Sequence, residues 1–595
     1  MDRRIGCQWG KSLRKPPPLV SGASLVVAIL PAALGCIGTS SGMDSDPFEV
    51  ETAANVDADG DGWTPDEGDC DDHDAEVNPA EDESFFGEYG VDGRDNDCDG
   101  LIDNHTASFD DDGDGWSESA GDCDDADADV GPASAEQTNT AVDENCDGSL
   151  AAPTLIADAA VATWWGDTDN TGVGNAAGSG VAFAGDVNGD GTPDVLVSAP
   201  TGQLEGGPRA AYLLAGPAAG GGSLAAGSLA TFERSPTSGL FVFMNTESAG
   251  DVNGDGFADV LLSDHYANGV APDGGDVGQA GRVALFFGPV SGVRSIVSAD
   301  VLIVGQASSE MAGIGLACGG DLDGDGLADV VVGTLWGIHV YGGPLAGEIT
   351  TAEADVSLAG AGYPVERGGD TNGDGHLDLL VGSEDDGGTG KAFVAMGPFT
   401  ADSSLTSVSA ALAGDHERDL TGRALSSAGD VDADGFDDVL VGAPGAGDSG
   451  GSAYLLLGPF SGSTSIGTSA DTIWNPELGA PRLGASVAPS GGADLDEFGG
   501  ALIGAPAEPY PDLTRDLIMP GKLYVFTDPP AGEVSAGDAT TMFVGPQSGD
   551  GTGYSAAGGV DLDGDNVPDM VVGAPFDGEH GTETGKVYVL SGARP

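Results

Sequence analysis

Short apolar runs return at regular intervals along the C-terminal three quarters of the chain: Val195-Leu196-Val197, Val260-Leu261-Leu262, Val330-Val331-Val332, Leu379-Leu380-Val381, Val439-Leu440-Val441, Leu502-Ile503 and Val571-Val572. Runs this short, rich in β-branched residues and bounded by Gly, Pro and Asp, predict buried strands. Four of them end in Ala-Pro, at Pro200, Pro444, Pro506 and Pro575, where the ladder must stop because Pro has no N–H to donate. A second strand follows in each unit, as in Ala453-Tyr454-Leu455-Leu456-Leu457, Leu523-Tyr524-Val525-Phe526 and Val587-Tyr588-Val589-Leu590. A third, often signalled by Ala-Asp, opens at Asp300, Asp355 and Asp471, and a fourth leads into the next unit. Four strands per unit, seven units and no helical period predict an all-β fold, a seven-bladed β-propeller over residues 155–595.

Each apolar run is preceded by an acidic loop, first seen as Asp186-Val187-Asn188-Gly189-Asp190-Gly191-Thr192-Pro193-Asp194. Later copies begin at Asp251, Asp321, Asp370, Asp430, Gly492 and Asp561, at intervals of 65, 70, 49, 60, 62 and 69 residues. Positions 1, 3, 5 and 9 carry side-chain oxygens. They are Asp186, Asn188, Asp190 and Asp194; Asp251, Asn253, Asp255 and Asp259; Asp321, Asp323, Asp325 and Asp329; Asp370, Asn372, Asp374 and Asp378; Asp430, Asp432, Asp434 and Asp438; and Asp561, Asp563, Asp565 and Asp569. Ca2+ takes six to eight oxygens, and alternate residues of a tight turn can supply them, with one backbone carbonyl at position 7. That carbonyl belongs to Thr192, Phe257, Leu327, His376, Phe436 and Val567, a set that varies as expected if the side chain is not a ligand. Gly at position 6 permits a positive φ, and Asn566 is the tolerated substitute in the last copy. In the sixth unit Gly492 and Gly500 replace the first and last ligands, so six ions are expected and none there. An ordinary acidic surface turn would explain one such loop, not six in register.

The N-terminal quarter has a different pattern. Residues 1–35 read as a processed segment, with a basic start (Arg3, Arg4, Lys11, Arg14, Lys15) and an apolar stretch from Leu19 to Leu34 too short for a confident span. Ala33-Leu34-Gly35-Cys36 resembles a bacterial lipobox with Cys36 as the lipidated residue; an ordinary signal peptide cut nearby, giving a secreted protein, is the alternative. Residues 36–55 suit a flexible tether. Residues 56–150 hold two acidic units, offset by 53 residues, with almost no apolar material to form a core. Candidate ligands are Asp57, Asp59, Asp61, Trp63 (carbonyl) and Asp69 in the first unit, and Asp110, Asp112, Asp114, Trp116 (carbonyl) and Asp122 in the second. Such a segment is either disordered or held by metal and covalent links, and the ligand spacing favours the latter. Export implies an oxidising compartment. Disulfides within each unit, Cys70–Cys98 and Cys123–Cys146, are expected to contribute about 3–4 kcal/mol each by loop closure. Four cysteines allow three pairings, and spacing alone does not choose.

Composition sharpens these expectations. The chain of 595 residues has 102 Gly and 6% aromatics, which favours short strands and turns over helices. A formal charge of −79 excludes nucleic acid as a natural partner and fits bound cations. A halophilic surface would also be acidic, but would scatter its acids rather than set them at ligand spacing.

The array resembles the FG-GAP repeats of the integrin α-chain headpiece, most plainly at Gly442-Ala443-Pro444 and Gly573-Ala574-Pro575 after their acidic loops. The acidic units resemble MopE-type metal-binding repeats of bacterial surface proteins and, more loosely, thrombospondin type 3 calcium repeats. They lack one cysteine that the MopE pattern places upstream of each closing turn. Ring closure follows from the chain ends: the last unit stops one strand short after Leu590, and an orphan segment from Ile156 to Trp165 is expected to complete it. The resemblance implies a calcium-stiffened, lipid-tethered adhesion or recognition protein of the cell surface, bound to an unknown protein or glycan. No catalytic site is expected, since no Gly-x-Ser-x-Gly or His-Glu-x-x-His occurs and the seven His fall in no recurrent setting. Metal capture by the acidic units, or a hydrolase or lyase, are the alternatives. A partner is expected on the face away from the acidic loops, where the longest connections carry His265, Tyr266, Tyr510 and Arg515. Cys318 is read as a small core residue.

Overall fold

The structure is a computed structural model. It describes parts of the N-terminal region (57–75, 77–80, 96, 98, 116–117, 123, 130–131 and 146) and, within 154–592, all but 169–173, 201–209, 217–219, 234–244, 271–274, 385–387, 478–481, 491–499, 507–518 and 528–530. Two compact units divide the chain: residues 1–82 with 95–100, and residues 83–94 with 101–595.

In the second unit, the first blade runs outward from the inner strand Gly180–Gly185 through Asp194–Ala199 and Ala210–Leu214 to the outer strand Ala230–Glu233, all antiparallel. The other inner strands are Thr246–Gly250, Gly315–Gly320, Val365–Gly369, Ala424–Gly429, Ser486–Pro489 and Ser555–Val560. They touch one another in sequence order, and the last packs on the first, which closes a ring of seven blades. Small residues fill these inner strands because seven of them must converge on one axis. The second strands, such as Asp194–Ala199 and Asp438–Ala443, are buried at every residue but Ser383, since a neighbouring blade covers each face. That two-sided burial is why they read as continuous apolar runs without alternation. The core is correspondingly split between blades: Trp474 packs with Leu440, Ile503 and Phe526 between the fifth and sixth, and Phe232 meets Phe286 at 4.9 Å between the first and second.

The closing strand is Ala162–Trp165, antiparallel to Lys586–Leu590, with Ala162 opposite Val589 and Trp165 opposite Lys586. The orphan segment does complete the seventh blade, but it is not one strand. Thr154–Leu155 pairs parallel with the sixth blade, and Ile156–Ala159 makes a single helical turn that drops the fully buried Ile156 between the sixth and seventh blades.

Every blade repeats this arrangement. A short segment ahead of one outer strand pairs parallel with the outer strand of the preceding blade: Gly220–Ser223, Gly292–Ser295, Gly347–Thr350, Ser403–Ser404, Ser463–Ser465 and Gly532–Ser535. The helical turns that follow bury Leu224, Ile296, Leu405 and Ile466. Each blade therefore has five strands rather than four, and the outer side of its fourth strand is paired. Cys318 departs from expectation: it sits on an inner strand, partly exposed, and burial pushes its thiol up. Among the described residues no helix is long and apolar enough to cross a membrane, and Cys36 with residues 1–35 lies outside them.

Thr163 lies in a strand paired on both sides, with Tyr588 and with Gly221. Thr163→Pro should therefore cost on the order of 3 kcal/mol in a denaturant melt. Unfolding at the wild-type midpoint would mean that the ring is not closed by this strand.

Candidate metal loops and the axial mouth

Each acidic loop joins an inner strand to the second strand and is built on its own carboxylates. At position 1, Asp186 Oδ1 accepts the Gly189 and Asp190 N–H groups at 2.7 and 3.1 Å, and Oδ2 accepts that of Gly191 at 2.9 Å. Asp251, Asp321, Asp370 and Asp561 repeat all three bonds, and Asp430 repeats two. At position 5, the carboxylates of Asp190, Asp255, Asp325, Asp374, Asp434 and Asp565 each accept the position 7 N–H. These bonds leave lone pairs on every carboxylate.

Position 9 is the first residue of the second strand and is buried in Asp194, Asp259, Asp329, Asp378, Asp438 and Asp569. One oxygen accepts the position 2 N–H. The other accepts the N–H of a glycine just past the third strand: Gly216, Gly288, Gly343, Gly397, Gly458 or Gly592, with distances of 2.7 to 3.3 Å over the whole set. Burial raises these carboxyls, to about 6 for Asp194, Asp259 and Asp329 and about 7 for Asp438, while the backbone N–H donors pull them back. Asp378 and Asp569 are raised for the same reason.

Two glycines of the loop have different reasons to be glycine. Gly191 at position 6 has φ +90° and open space where a Cβ would stand, so only its backbone conformation requires it; Asn566 takes the same role at φ +65°. Gly189 at position 4 has φ +79°, and a Cβ there would lie 2.4 Å from the ring of Phe257, the position 7 residue of the next blade. Phe436 stands over Gly373, and Leu327 over Gly254, in the same manner. The position 7 side chain is thus not free to vary in these blades; it packs on the preceding loop. Backbone bonds reinforce the contact, from the Ala258, Ala328 and Asp437 N–H groups to the carbonyls of Asp186, Asp251 and Asp370.

Three loops bring carboxylate oxygens within 4.8 Å of one another: Asp321, Asp323 and Asp325; Asp430, Asp432 and Asp438; and Asp561, Asp563 and Asp565. The loops at Asp186, Asp251 and Asp370 have Asn at position 3, so an amide oxygen stands in for one carboxylate. Of the sixth unit's altered positions, Gly492 lies outside the described residues and Gly500 has φ +127°.

In the first acidic unit, Asp57, Asp59 and Asp61 form a fourth such group. The turn Pro65–Glu67 brings back Asp69, which is 5% exposed. Asp59 Oδ2, Asp61 Oδ2 and Asp69 Oδ2 are buried oxygens that no donor reaches. Burial raises the Asp59 carboxyl, opposed by the Asp61 N–H, and the charges of Asp61, Asp69 and Asp57 raise it further. Buried carboxylate oxygens without donors are costly unless a cation completes them, so this donor set fits a hard metal ion. Disulfides Cys70–Cys98 and Cys123–Cys146 form as expected. Asp110, Asp112, Asp114 and Asp122 lie outside the described residues, and Trp116 is partly buried.

The other end of the axis is different in kind. The connection after Ser263 folds into its own hairpin, Gly269–Val270 with Asp276–Val277, and turns His265 inward. His265 is 5% exposed, held down to about 4 and hence neutral by burial, with its ring 4.5 Å from that of Tyr266. These two residues are not projecting anchors; both line an axial cavity. Tyr510 and Arg515 lie outside the described residues. Most of the described cations gather at this end: Arg282, Lys391, Lys522 and Lys586 open third strands, Arg418, Arg423 and Arg482 precede inner strands, and only Arg294 and Arg367 stand within strands elsewhere. Several are matched by acids, as in Arg423–Glu384 at 2.7 Å and Lys586–Asp577 at 3.2 Å.

The FG-GAP repeat family matches residues 177–212, 421–456 and 552–590, which are the inner, second and third strands of the first, fifth and seventh blades. A MopE family described as "Putative metal-binding motif" matches residues 69–104 and 122–151. No curated protein matches the chain. Among solved structures, a chain of the crystal structure of BBS1N in complex with ARL6DN, soaked with mercury, is 9% identical, covering 73% of this chain and 98% of that one at a TM-score of 0.35. The same complex soaked with lead gives 11% identity, 72% and 97% coverage and a TM-score of 0.38.

The loop contacts predict a coupling. Gly189→Ala should cost more stability than Gly191→Ala, which bears only the left-handed backbone penalty of roughly 1–2 kcal/mol. In a Phe257→Ala background the excess should vanish, with a coupling of at least about 0.5 kcal/mol by double-mutant cycle. Strict additivity would show that neighbouring loops do not bear on each other.

Proposed function

For a chain that carries FG-GAP repeats on a seven-bladed propeller and MopE-type motifs ahead of it, we propose a calcium-loaded, non-catalytic recognition protein of the bacterial cell surface. The observation that carries the metal is the trio of buried, donorless oxygens on Asp59, Asp61 and Asp69, beside six loops with oxygen-bearing side chains at alternate positions like Asp57, Asp59 and Asp61. Every side-chain donor in these sets is oxygen. Hard oxygen donors suit Ca2+ and fit copper poorly, since copper favours imidazole and sulfur. Asp57, Asp59, Asp61 and Asp69 would hold one ion, and positions 1, 3, 5 and 9 of each intact propeller loop would hold the others, with the position 7 carbonyl.

Calcium at such loops is scaffold. It would offset repulsion within a chain of formal charge −79 and stiffen the turns that hold neighbouring blades together. Recognition of a protein or glycan then falls to the opposite, axial end. Export with lipid attachment at Cys36 is the proposed route to the surface, resting on the basic start, the apolar stretch and Ala33-Leu34-Gly35-Cys36.

Two measurements test this. Saturating calcium should raise the melting temperature of the full chain, by about 2.7 kcal/mol of stability per site at a hundredfold excess over Kd. Asp190→Ala should lower the melting temperature more in calcium than in chelator, where only its bonds to Thr192 are lost; equal loss in both would remove Asp190 as a ligand. The pH dependence has a definite sign. Burial raises the position 9 carboxyls above their unfolded value, so without metal the fold binds protons more tightly than the unfolded chain, and stability falls as pH rises from about 4 through about 6. Bound calcium needs the ionised form, so apparent calcium affinity should weaken as pH falls below 6. A calcium affinity flat from pH 5 to 7.5 would contradict position 9 as a ligand.

A further inference from the structure

The first acidic unit has little apolar material to hold it together: among its described residues Val77 is the one buried apolar side chain. Order comes instead from a few polar ties. Ala58 N–H donates to Asp72 Oδ1 at 3.0 Å, which joins the run 57–61 to the turn that carries Asp69. Asn78 N–H donates to the Asn96 carbonyl at 2.9 Å, and the Cys70–Cys98 bond, across a separation of 28 residues, is the second tie to that closing segment.

The disulfide and the candidate ligands meet at one turn. Asp69 Oδ1 accepts the Asp71 N–H at 2.9 Å, so the two aspartates clasp Cys70 between them. The Cys70 N–H in turn donates to Cys98 Sγ at 3.1 Å. Asp69 is 5% exposed and keeps Oδ2 free of any donor, as Asp59 and Asp61 keep theirs, and its charge is felt at Asp59. Across the bond, Cys98 has φ +60°, a left-handed backbone that is unfavourable for any residue with a Cβ. The second unit repeats this: Cys146 has φ +54°, the Cys123 N–H donates to Cys146 Sγ at 3.0 Å, and Asp122 again stands directly before the cysteine. Once the crosslink opens, a unit with so little core has nothing else to keep that conformation.

We propose that the Cys70–Cys98 bond and the cation held by Asp57, Asp59, Asp61 and Asp69 form one redox-gated site, in which the ion protects the disulfide and reduction releases the ion. In the reducing step a dithiol closes its own disulfide, the Cys70–Cys98 bond breaks, and two electrons and two protons end on two cysteine thiols. The turn at Asp69 then loses its fixed end. Cys70 is exposed and Cys98 half-buried, so a small thiol can reach the bond. The coupling is reciprocal: whatever factor the crosslink adds to ion affinity, the ion adds to the stability of the crosslink. Losing an outer support of a metal ligand costs about ten- to a hundredfold in affinity, which sets the scale here. This switch rests on the metal reading above and adds its regulation.

The test equilibrates the full chain in dithiothreitol redox buffers, with calcium or with chelator at matched ionic strength. Each cysteine pair is then quantified by differential alkylation and peptide mass spectrometry. Calcium should move the Cys70–Cys98 midpoint at least about tenfold in the reduced-to-oxidised ratio, roughly 30 mV toward lower potential. Asp69→Asn should abolish that shift and leave the shift of Cys123–Cys146 in place. Asp59→Asn, farther along the chain from both cysteines, should do the same. Calorimetry on the oxidised proteins separates the two readings. If both variants bind as many calcium ions as the wild type, the metal reading of this unit fails and the switch with it. If each loses one ion while the Cys70–Cys98 midpoint ignores calcium, the metal reading stands and the switch is overturned. A calcium shift that survives both substitutions, or that vanishes from both cysteine pairs at once, also overturns it, because the coupling would not run through this site.

Discussion

The buried carboxylate at the start of each second strand is the interaction on which the intact blades depend. Asp194 and its five counterparts sit where the acidic loop becomes apolar strand, and each joins two backbone segments that no ladder connects. One oxygen holds the beginning of the loop, and the other holds the turn beyond the third strand. A carboxyl placed there without those N–H donors would be a buried charge with nothing to compensate it. With them it fixes the loop's exit, and with the exit fixed, Asp186 can gather the N–H groups of positions 4 to 6. Strand packing and the proposed metal geometry therefore share a residue, which is why the acidic spacing and the apolar run recur as one unit.

From this follows a division of labour between the two ends of the ring. At the loop end the chain is almost uniformly acidic, and the loops lean on each other through Phe257, Leu327 and Phe436. Such an end is suited to being held, by cations and by neighbouring blades, more than to meeting a varied partner. At the other end most of the described cations gather, several matched with acids, and Tyr266, Tyr363 and Tyr554 line a cavity. Propeller architecture alone assigns no function to either end, because the same fold serves many chemistries. The asymmetry belongs to this chain's own residues.

Ring closure shows how the parts reinforce each other. The N-terminal strand Ala162–Trp165 is paired on both sides, and the turn before it seats Ile156 in the core between the last two blades. The same device, a parallel segment followed by one helical turn, laces each blade to the one before it. The ring is thus joined by packing between faces and by hydrogen bonds between neighbouring blades along its outer edges.

What the sequence determined by itself was local and periodic. Seven apolar runs and six acidic loops in register were legible, because each depends on residues close together or on a repeat, while the cysteine pairing within each acidic unit was one of three that the spacing allows until the fold chose it. What needed the tertiary structure was everything decided between blades. Gly220–Ser223 and Ser403–Ser404 have no apolar alternation, so nothing in them signals a fifth strand; the partner supplies the ladder. Phe257 reads as an unconstrained position 7 until the next loop's glycine lies beneath it. His265 reads as an exposed loop residue until its connection folds inward, and Cys318 as core until seven inner strands converge with space on their axis. The position 9 aspartates read as ligands alone, and only the fold reveals them as the bond between loop and turn, because the glycine each one holds is 14 to 29 residues away.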